Sequence, residues 1–480
     1  MRKLSILLLI PLFIFQVAAQ NHKEPNLAIL NVNIVDVESG SITPGMDVLI
    51  KGDRIEEVRP SNPDLVKAAF RVDGSGKYLI PGLWDMHAHP DDPEMWRMRP
   101  DQSSRDLLMP LFVMYGVTGI RDMAGSLKVV NDWKEKMANG SLLGPAIFAA
   151  GPLIDGPNPM WDGSIGIPSV QQVPQKIDSL KEAGVDFLKI YSLLPDSIYF
   201  ALSEYARSID FPFCGHVPQT VTNLEASNSG ISSLEHLLDI PLECSSEEER
   251  IRNGTIDYGG AEGRLDRYLF RNKRIIDTYD SEKAARLFEA FVQNDTWHTP
   301  TISMWYKNAW FEKEETKDQQ YFRYLPVYMR KYWTPQVNDH LKFRQKEFIQ
   351  VNQQLVDHYM RIIGDMHKAG VKLLAGTDTG ANPLCWPGLG VHLEIEMFEK
   401  AGLTPHEALK TATINPVRFL GIEEDYGTIA KGKYADMILL SDNPLESISN
   451  TQKIAGVVKS GSFFSKTRIN EYLEKIAERQ

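Results

Sequence analysis

The feature that most restricts what this chain can fold into is an alternation of short apolar segments with helical stretches between residues 79 and 378. The apolar segments predict strands over Leu79–His87, Val117–Asp122, Ala146–Gly151, Phe187–Tyr191, Phe213–His216, Ser233–His236, Thr299–Ser303 and Leu373–Asp378. Strands separated by helical stretches form parallel βαβ units, and a set of eight is the number that closes a barrel. Two longer stretches interrupt the rhythm. Cys244 to Asp295 is polar and rich in Glu, Arg and Lys, whereas Trp305 to Leu355 is dense in Trp, Tyr and Phe. As βα connections, both belong above the mouth of a barrel. The aromatic stretch fits a hydrophobic lid or the buried face of an extra helical pair, and the second reading is favoured.

The two ends have a different texture. Leu27–Val37 and Asp47–Val58, joined by a Gly-containing turn, read as antiparallel strands. Similar strands return at Ala435–Leu440 and Ile454–Val458. The expected fold is therefore α/β: a (β/α)8 TIM-like barrel with a small β-sandwich domain built from both ends of the chain. The expected layout is a signal peptide over 1–19, sandwich strands over 20–80, a barrel over 81–417 with insertions at about 244–295 and 305–355, sandwich strands over 418–466, and a C-terminal helix over 467–480.

The signal peptide rests on Arg2 and Lys3, the apolar run Leu4 to Val17, and the small pair Ala18-Ala19. A basic start, an apolar stretch and small residues at the cleavage point make a secretory signal, and the run falls short of the roughly 20 residues that span a bilayer. An exported protein, periplasmic or extracellular, is expected, without stable membrane insertion. Only Cys214, Cys244 and Cys385 are present, so no disulfide framework holds the fold. With 52 basic against 63 acidic residues and a net charge of -11, nothing favours nucleic acid as a partner. Assembly into a homo-oligomer is left open.

The chemistry sits at strand tips. His87-Ala88-His89 closes the first predicted barrel strand. Residues two apart on a strand face the same side, so both imidazoles reach one metal ion. Alone, such a pair is ordinary. However, Lys189, His216, His236 and Asp378 also stand at or beside the C-terminal ends of predicted strands. Barrel active sites occupy that face, so the joint pattern carries weight that no single residue does.

The order His-x-His, Lys, His, His, Asp resembles the metal-binding pattern of the amidohydrolase superfamily. The flanking PGLWDMHAH at 81–89 and AGTDTG at 375–380 resemble the branch containing imidazolonepropionases and Xaa-Pro or Xaa-Arg dipeptidases. Later segments, among them Ala401–Leu409, Asn415-Pro416, Gly427-Thr428-Ile429 and Gly432–Asp436, resemble the same branch. The resemblance implies two divalent metal ions, with zinc expected, although spacing alone does not separate zinc from manganese or cobalt. It matches His87 and His89 to ligands of the first ion, His216 and His236 to the second, and Asp378 to a ligand of the first ion that also acts as catalytic base. Lys189 matches a lysine that is N6-carboxylated, since an ammonium cannot ligate a cation and a carbamate can. Imidazolonepropionases resemble single-metal enzymes without this lysine, so Lys189 favours the two-metal, dipeptidase-like branch.

The implied activity is hydrolysis of a C–N (amide or peptide) bond by a metal-activated hydroxide, with a dipeptide or N-acyl amino acid as substrate. A cyclic amide, lactone or phosphotriester hydrolase is the alternative on the same centre. A small molecule or short peptide is the expected partner. Tyr191, two residues beyond Lys189, together with His298 and His392, are candidate substrate-binding residues. Glu394 lies in a segment resembling the family's, without an assigned role.

Overall fold

The computed structural model of the chain describes residues 25–98, 100–257, 263–343 and 345–478. The expected signal peptide at 1–19 lies outside them. Five strands open the fold: β1 (Leu27–Val35), β2 (Ile42–Lys51), β3 (Arg54–Pro60), β4 (Phe70–Asp73) and β5 (Tyr78–Pro81). The middle of the chain supplies β6 (Leu83–Ala88), β7 (Val117–Asp122), β8 (Ala146–Ala149), β9 (Ile154–Asp155), β10 (Ile165–Gly166), β11 (Leu188–Ile190), β12 (Phe213–Gly215), β13 (Ser233–Glu235) and β14 (Trp297–Thr299). The far end adds β15 (Met437–Leu440), β16 (Ile454–Lys459) and β17 (Ser462–Ser465), and the helix Lys466–Glu478 follows.

Both ends do share a sheet. The strands expected in a sandwich form one 8-stranded hydrogen-bonded sheet, in the order β17-β16-β15-β5-β1-β2-β3 with β4 also on β1. Alternation of apolar residues along β1, β2 and β15 buries Leu27, Ile29, Val48, Ile50, Met437 and Leu439 in a core of its own. β5 is the seam, since it pairs in parallel with β1 and antiparallel with β15.

The inner strands are parallel and form a 3-stranded sheet, β6-β7-β8, and a 6-stranded sheet, β10-β9-β11-β12-β13-β14. Further backbone bonds link their edges. Asp186 N donates to Ala149 O at 2.9 Å, beside β8 and β11. The extended segment 371–379 runs between β14 and β6: Leu374 N donates to His298 O at 2.9 Å, and Met86 N to Ala375 O at 2.8 Å. Helices cover these strands around one large core that includes Ile120, Ile190, Phe213 and Leu234.

The structure corrects three of the expected strand limits. The first predicted strand, Leu79–His87, divides at Pro81-Gly82, with β5 in the terminal sheet and β6 in the inner one. Proline ends the ladder by lacking an N–H, and a Cβ on Gly82 would lie 2.0 Å from Thr118 Oγ1, so only glycine turns this corner. The seventh runs over Trp297–Thr299 rather than Thr299–Ser303, because buried Glu394 accepts from Ile302 N (3.0 Å) and Ser303 N (2.7 Å) and starts the helix Ile302–Ala309 there. The eighth, Leu373–Asp378, makes isolated bridges at Leu373 and Thr379 rather than a continuous ladder.

The aromatic stretch forms the helices Ile302–Ala309, Phe311–Asp318, Val327–Phe343 and Lys346–Ala369. Its rings pack inward: Trp333 lies 5.4 Å from Trp386, and Phe322 5.1 Å from Trp386. The polar stretch contains Glu248–Arg252, Arg264–Asp277 and Ser281–Gln293, stitched by ion pairs such as Arg274 to Glu247 at 2.5 Å. All three cysteines are buried and free. Among the described residues, no helix is long and apolar enough to cross a membrane.

Candidate metal centre

His87 and His89 emerge side by side at the end of β6, their ring centroids 5.2 Å apart. His236, just past β13, brings its ring 4.3 Å from His87, and His216, just past β12, lies 4.8 Å from His236. The four imidazoles thus form a chain across the strand ends. Asp378 closes it, with Oδ1 3.2 Å from His89 Nε2 and 3.5 Å from His87 Nε2. Lys189 is buried at the centre of β11.

The backbone is bent to achieve this. His236, Thr301 and Asp378 have φ of 63°, 47° and 59°, a left-handed conformation that costs a non-glycine residue about 1–2 kcal/mol. Thr301 Oγ1 lies 2.8 Å from His236 Nδ1, and Ser192 Oγ lies 3.3 Å from His216 Nδ1. Strain concentrated at converging strand ends marks a functional site.

Beneath the imidazoles lies a buried ion pair absent from the sequence expectations. Glu235 Oε2 stands 2.7 Å from His87 Nδ1. A carboxylate only accepts, so Nδ1 carries the proton and Nε2 presents its lone pair. Arg121 Nη2 donates to both Glu235 oxygens (2.9 and 3.1 Å), Nη1 donates to Ser233 Oγ (2.9 Å), and Nε to Met86 O (2.7 Å). Burial works to raise the Glu235 carboxyl, but Arg121, Lys189 and the Ser233 hydroxyl hold it below its ordinary value. On β6, Asp85 accepts from Thr377 Oγ1 (2.6 Å) and Thr377 N (3.0 Å), fixing the segment that carries Asp378.

Burial sets the charge states. It drives His87 and His216 well below the usual imidazole value, and His236 to about 4 against the pull of Asp378, whereas at His89 burial is outweighed by the Asp378 carboxylate, which raises it. Neutral imidazole is the ligating form. Lys189 is pushed below its ordinary value by burial, against the pull of Glu235. Burial would raise Asp378, but His236 and the hydrogen bond from His89 hold it well below the carboxylate range.

The donor set suits a divalent cation. His87, His89 and Asp378 offer ligand atoms within 4.8 Å of one another. The buried His87 Nε2 and Lys189 Nζ have no hydrogen-bond partner among the described residues.

Tyr191 lies beside the cluster, stacked on His216 at 4.3 Å. The structure sets His298 and His392 outside it. Trp297 and Thr299 flank His298 on β14, and alternation turns its ring outward onto Phe291 of the helix Ser281–Gln293, at 4.4 Å. His392 ties helix Leu389–Lys400 to its neighbours through Thr451 Oγ1 and Tyr115 O, both at 2.9 Å.

Residues 337–463 match the amidohydrolase family. The chain is 36% identical to the ochratoxinase of Aspergillus niger over 117 residues, 23% of each chain. It therefore spans under a quarter of that curated relative. Among solved structures it resembles a bottromycin amidohydrolase (TM-score 0.74, 20% identity, 94% of this chain and 90% of that one). It also resembles a putative prolidase from Bifidobacterium longum (TM-score 0.65, 20% identity, 94% and 99%). The match to the amidohydrolase family thus lies in residues 337–463, and the chain shares a fold of mixed α/β content with those structures along nearly its whole length.

Proposed function

We propose that this protein is an exported, metal-dependent hydrolase of a C–N bond in a dipeptide or N-acyl amino acid. The observation that carries the reading is the convergence of His87, His89, His216, His236 and Asp378 around a buried Lys189 Nζ. We read β6, β7, β8, β11, β12, β13, β14 and the 371–379 segment, with Asp186 joining the two parallel sheets, as one closed eight-stranded barrel with this cluster at its C-terminal face, and the two-residue strands β9 and β10 as additions to it. The terminal sheet is the accessory domain.

His87, His89 and Asp378 would hold one ion and His216 and His236 a second, with N6-carboxylated Lys189 serving both; zinc is the expected metal. Such ions polarise a carbonyl and lower the pKa of water toward neutrality. The protein's own groups do the rest. Glu235 fixes the His87 tautomer, and Thr301 and Ser192 orient His236 and His216. Burial keeps Lys189 toward the neutral amine, the form that adds to carbon dioxide. Asp378 stays ionised, accepts the proton of the attacking water at a carboxylate oxygen, and returns it to the departing amine. The resemblance to a bottromycin amidohydrolase and a putative prolidase supports the amide class.

Metal content by mass spectrometry on protein purified without chelator, alongside Lys189→Ala, tests the reading. About two ions per chain, falling sharply in the variant together with amidase activity, is the expected result. One ion unaffected by the substitution points instead to a single-metal cyclic amidohydrolase. Absence of metal after reconstitution sinks the catalytic reading.

A further inference from the structure

The flank of the cluster beside Tyr191 is built from two loops held by a single buried carboxylate. Asp155, 1% exposed at the end of β9, accepts from Leu193 N at 2.8 Å through Oδ1 and from Met160 N at 3.0 Å through Oδ2. A Cβ on Gly156 would lie 2.2 Å from Leu193 O, so the loops touch backbone to backbone. Tyr191 N donates to Ile154 O at 2.8 Å, placing the ring that stacks on His216 against the same corner. Trp161 meets Tyr191 edge-on at 6.5 Å. Despite this rigid support, Met160 and Leu193 leave 45% and 39% of their surface in water.

Large apolar side chains on a flexible loop are unremarkable when exposed. Here the backbone amides of both are pinned by a fully buried acid, which fixes their place next to the imidazole cluster. Resting on the proposed amide hydrolase, we propose that Met160, Trp161 and Leu193, continuous with Tyr191, form a preformed apolar shelf. The shelf receives an aromatic or large aliphatic side chain flanking the scissile amide. Its continuity with His216 through the Tyr191 ring commits it to substrate rather than to a protein partner. Met160 and Trp161 supply adaptable thioether and planar ring surface, and Leu193 adds branched aliphatic surface.

The test is a panel of Ala-X and X-Ala dipeptides, X being Phe, Leu, Ala, Asp or Lys, run on metal-loaded wild type and on the Met160→Ala/Leu193→Ala double variant. Calorimetric titration of both proteins with N-acetyl-phenylalanine amide accompanies it. Wild type should favour the Phe and Leu members over Ala by about tenfold or more in kcat/KM, the discrimination an apolar pocket supplies. The double variant should lose most of that ratio, chiefly through KM, and bind the titrant about tenfold more weakly. Equal kcat/KM across the panel, or titrant affinity unchanged in the variant, overturns the shelf. A panel left uncleaved while the titrant binds wild type and not the variant sinks the hydrolase and leaves the shelf standing.

Discussion

Glu235 carries two duties that no other side chain in the cluster combines, since it orients His87 and neutralises a fully buried arginine. Glu235→Ala should therefore lower stability in urea unfolding by about 3–5 kcal/mol, because Arg121 remains as an uncompensated interior charge. Glu235→Gln should unfold later than Glu235→Ala yet bind metal about 10–100-fold more weakly than wild type in equilibrium dialysis, since the His87 tautomer is no longer enforced. A second prediction concerns Asp378. Asp378→Asn should reduce kcat about 10²–10⁴-fold while leaving far-ultraviolet circular dichroism unchanged, the range expected for loss of a general base. The positions that the structure brings together were readable as a set because each ligand type ends or follows an apolar strand. Glu235 and Arg121 were not, although Ser233-x-Glu235 and the charge in Val117–Asp122 placed polar groups on otherwise apolar strands. Sequence gives the alternation, but not which interior charge meets which across the strands.

At the scale of elements, the aromatic helices act on the site through the loops they grip. Trp333 Nε1 donates to Gly380 O at 3.3 Å, two residues beyond Asp378, and Tyr332 hydrogen-bonds Glu94 in the turn after His89. The helix Val327–Phe343 thereby holds both loops that carry the residues proposed to bind the first ion. Trp333→Ala should cost about 3–5 kcal/mol in thermal or urea unfolding, whereas Trp333→Phe, which keeps most of the packing, should cost about 1 kcal/mol. Similar losses in both would mean that the indole hydrogen bond, not the buried ring, holds the loop. Helix was legible in this stretch from its aromatic density, but its destination was not, because a loop's docking site depends on surfaces far away in sequence. His298 shows the converse. It stands one residue before the expected strand Thr299–Ser303, yet the strand in the structure, cut short where Glu394 starts the next helix, runs over Trp297–Thr299 and turns its ring to the helix layer.

For the molecule as a whole, the histidines outside the cluster set a pH limit. Burial, the largest cause in each case, holds His298 at about 3, and His358 and His392 at about 4. All three are neutral when folded but take up a proton near the usual 6.5 once unfolded. Their contribution is present above that pH and is lost as pH falls toward 4, at about 1.4 kcal/mol per pH unit for each imidazole. Urea unfolding at pH 7, 6 and 5 should show wild type weakening faster than His358→Gln; parallel decline would refute the assignment. The two-ended terminal sheet was legible as a pairing of distant segments, because both ends carry the same turn-and-strand texture, whereas the merging of all its strands into one ladder depended on β5.

That seam has a consequence for how the chain is made. β5 leads through a single glycine into the strand bearing His87 and His89, yet its second edge waits for β15. During synthesis the chain must be extended through β15 before that edge is covered, so until then β5 keeps one open, apolar strand edge. Such an intermediate folds slowly and recruits neighbours. The arrival of β15, rather than local helix or strand formation, becomes the event that closes the seam.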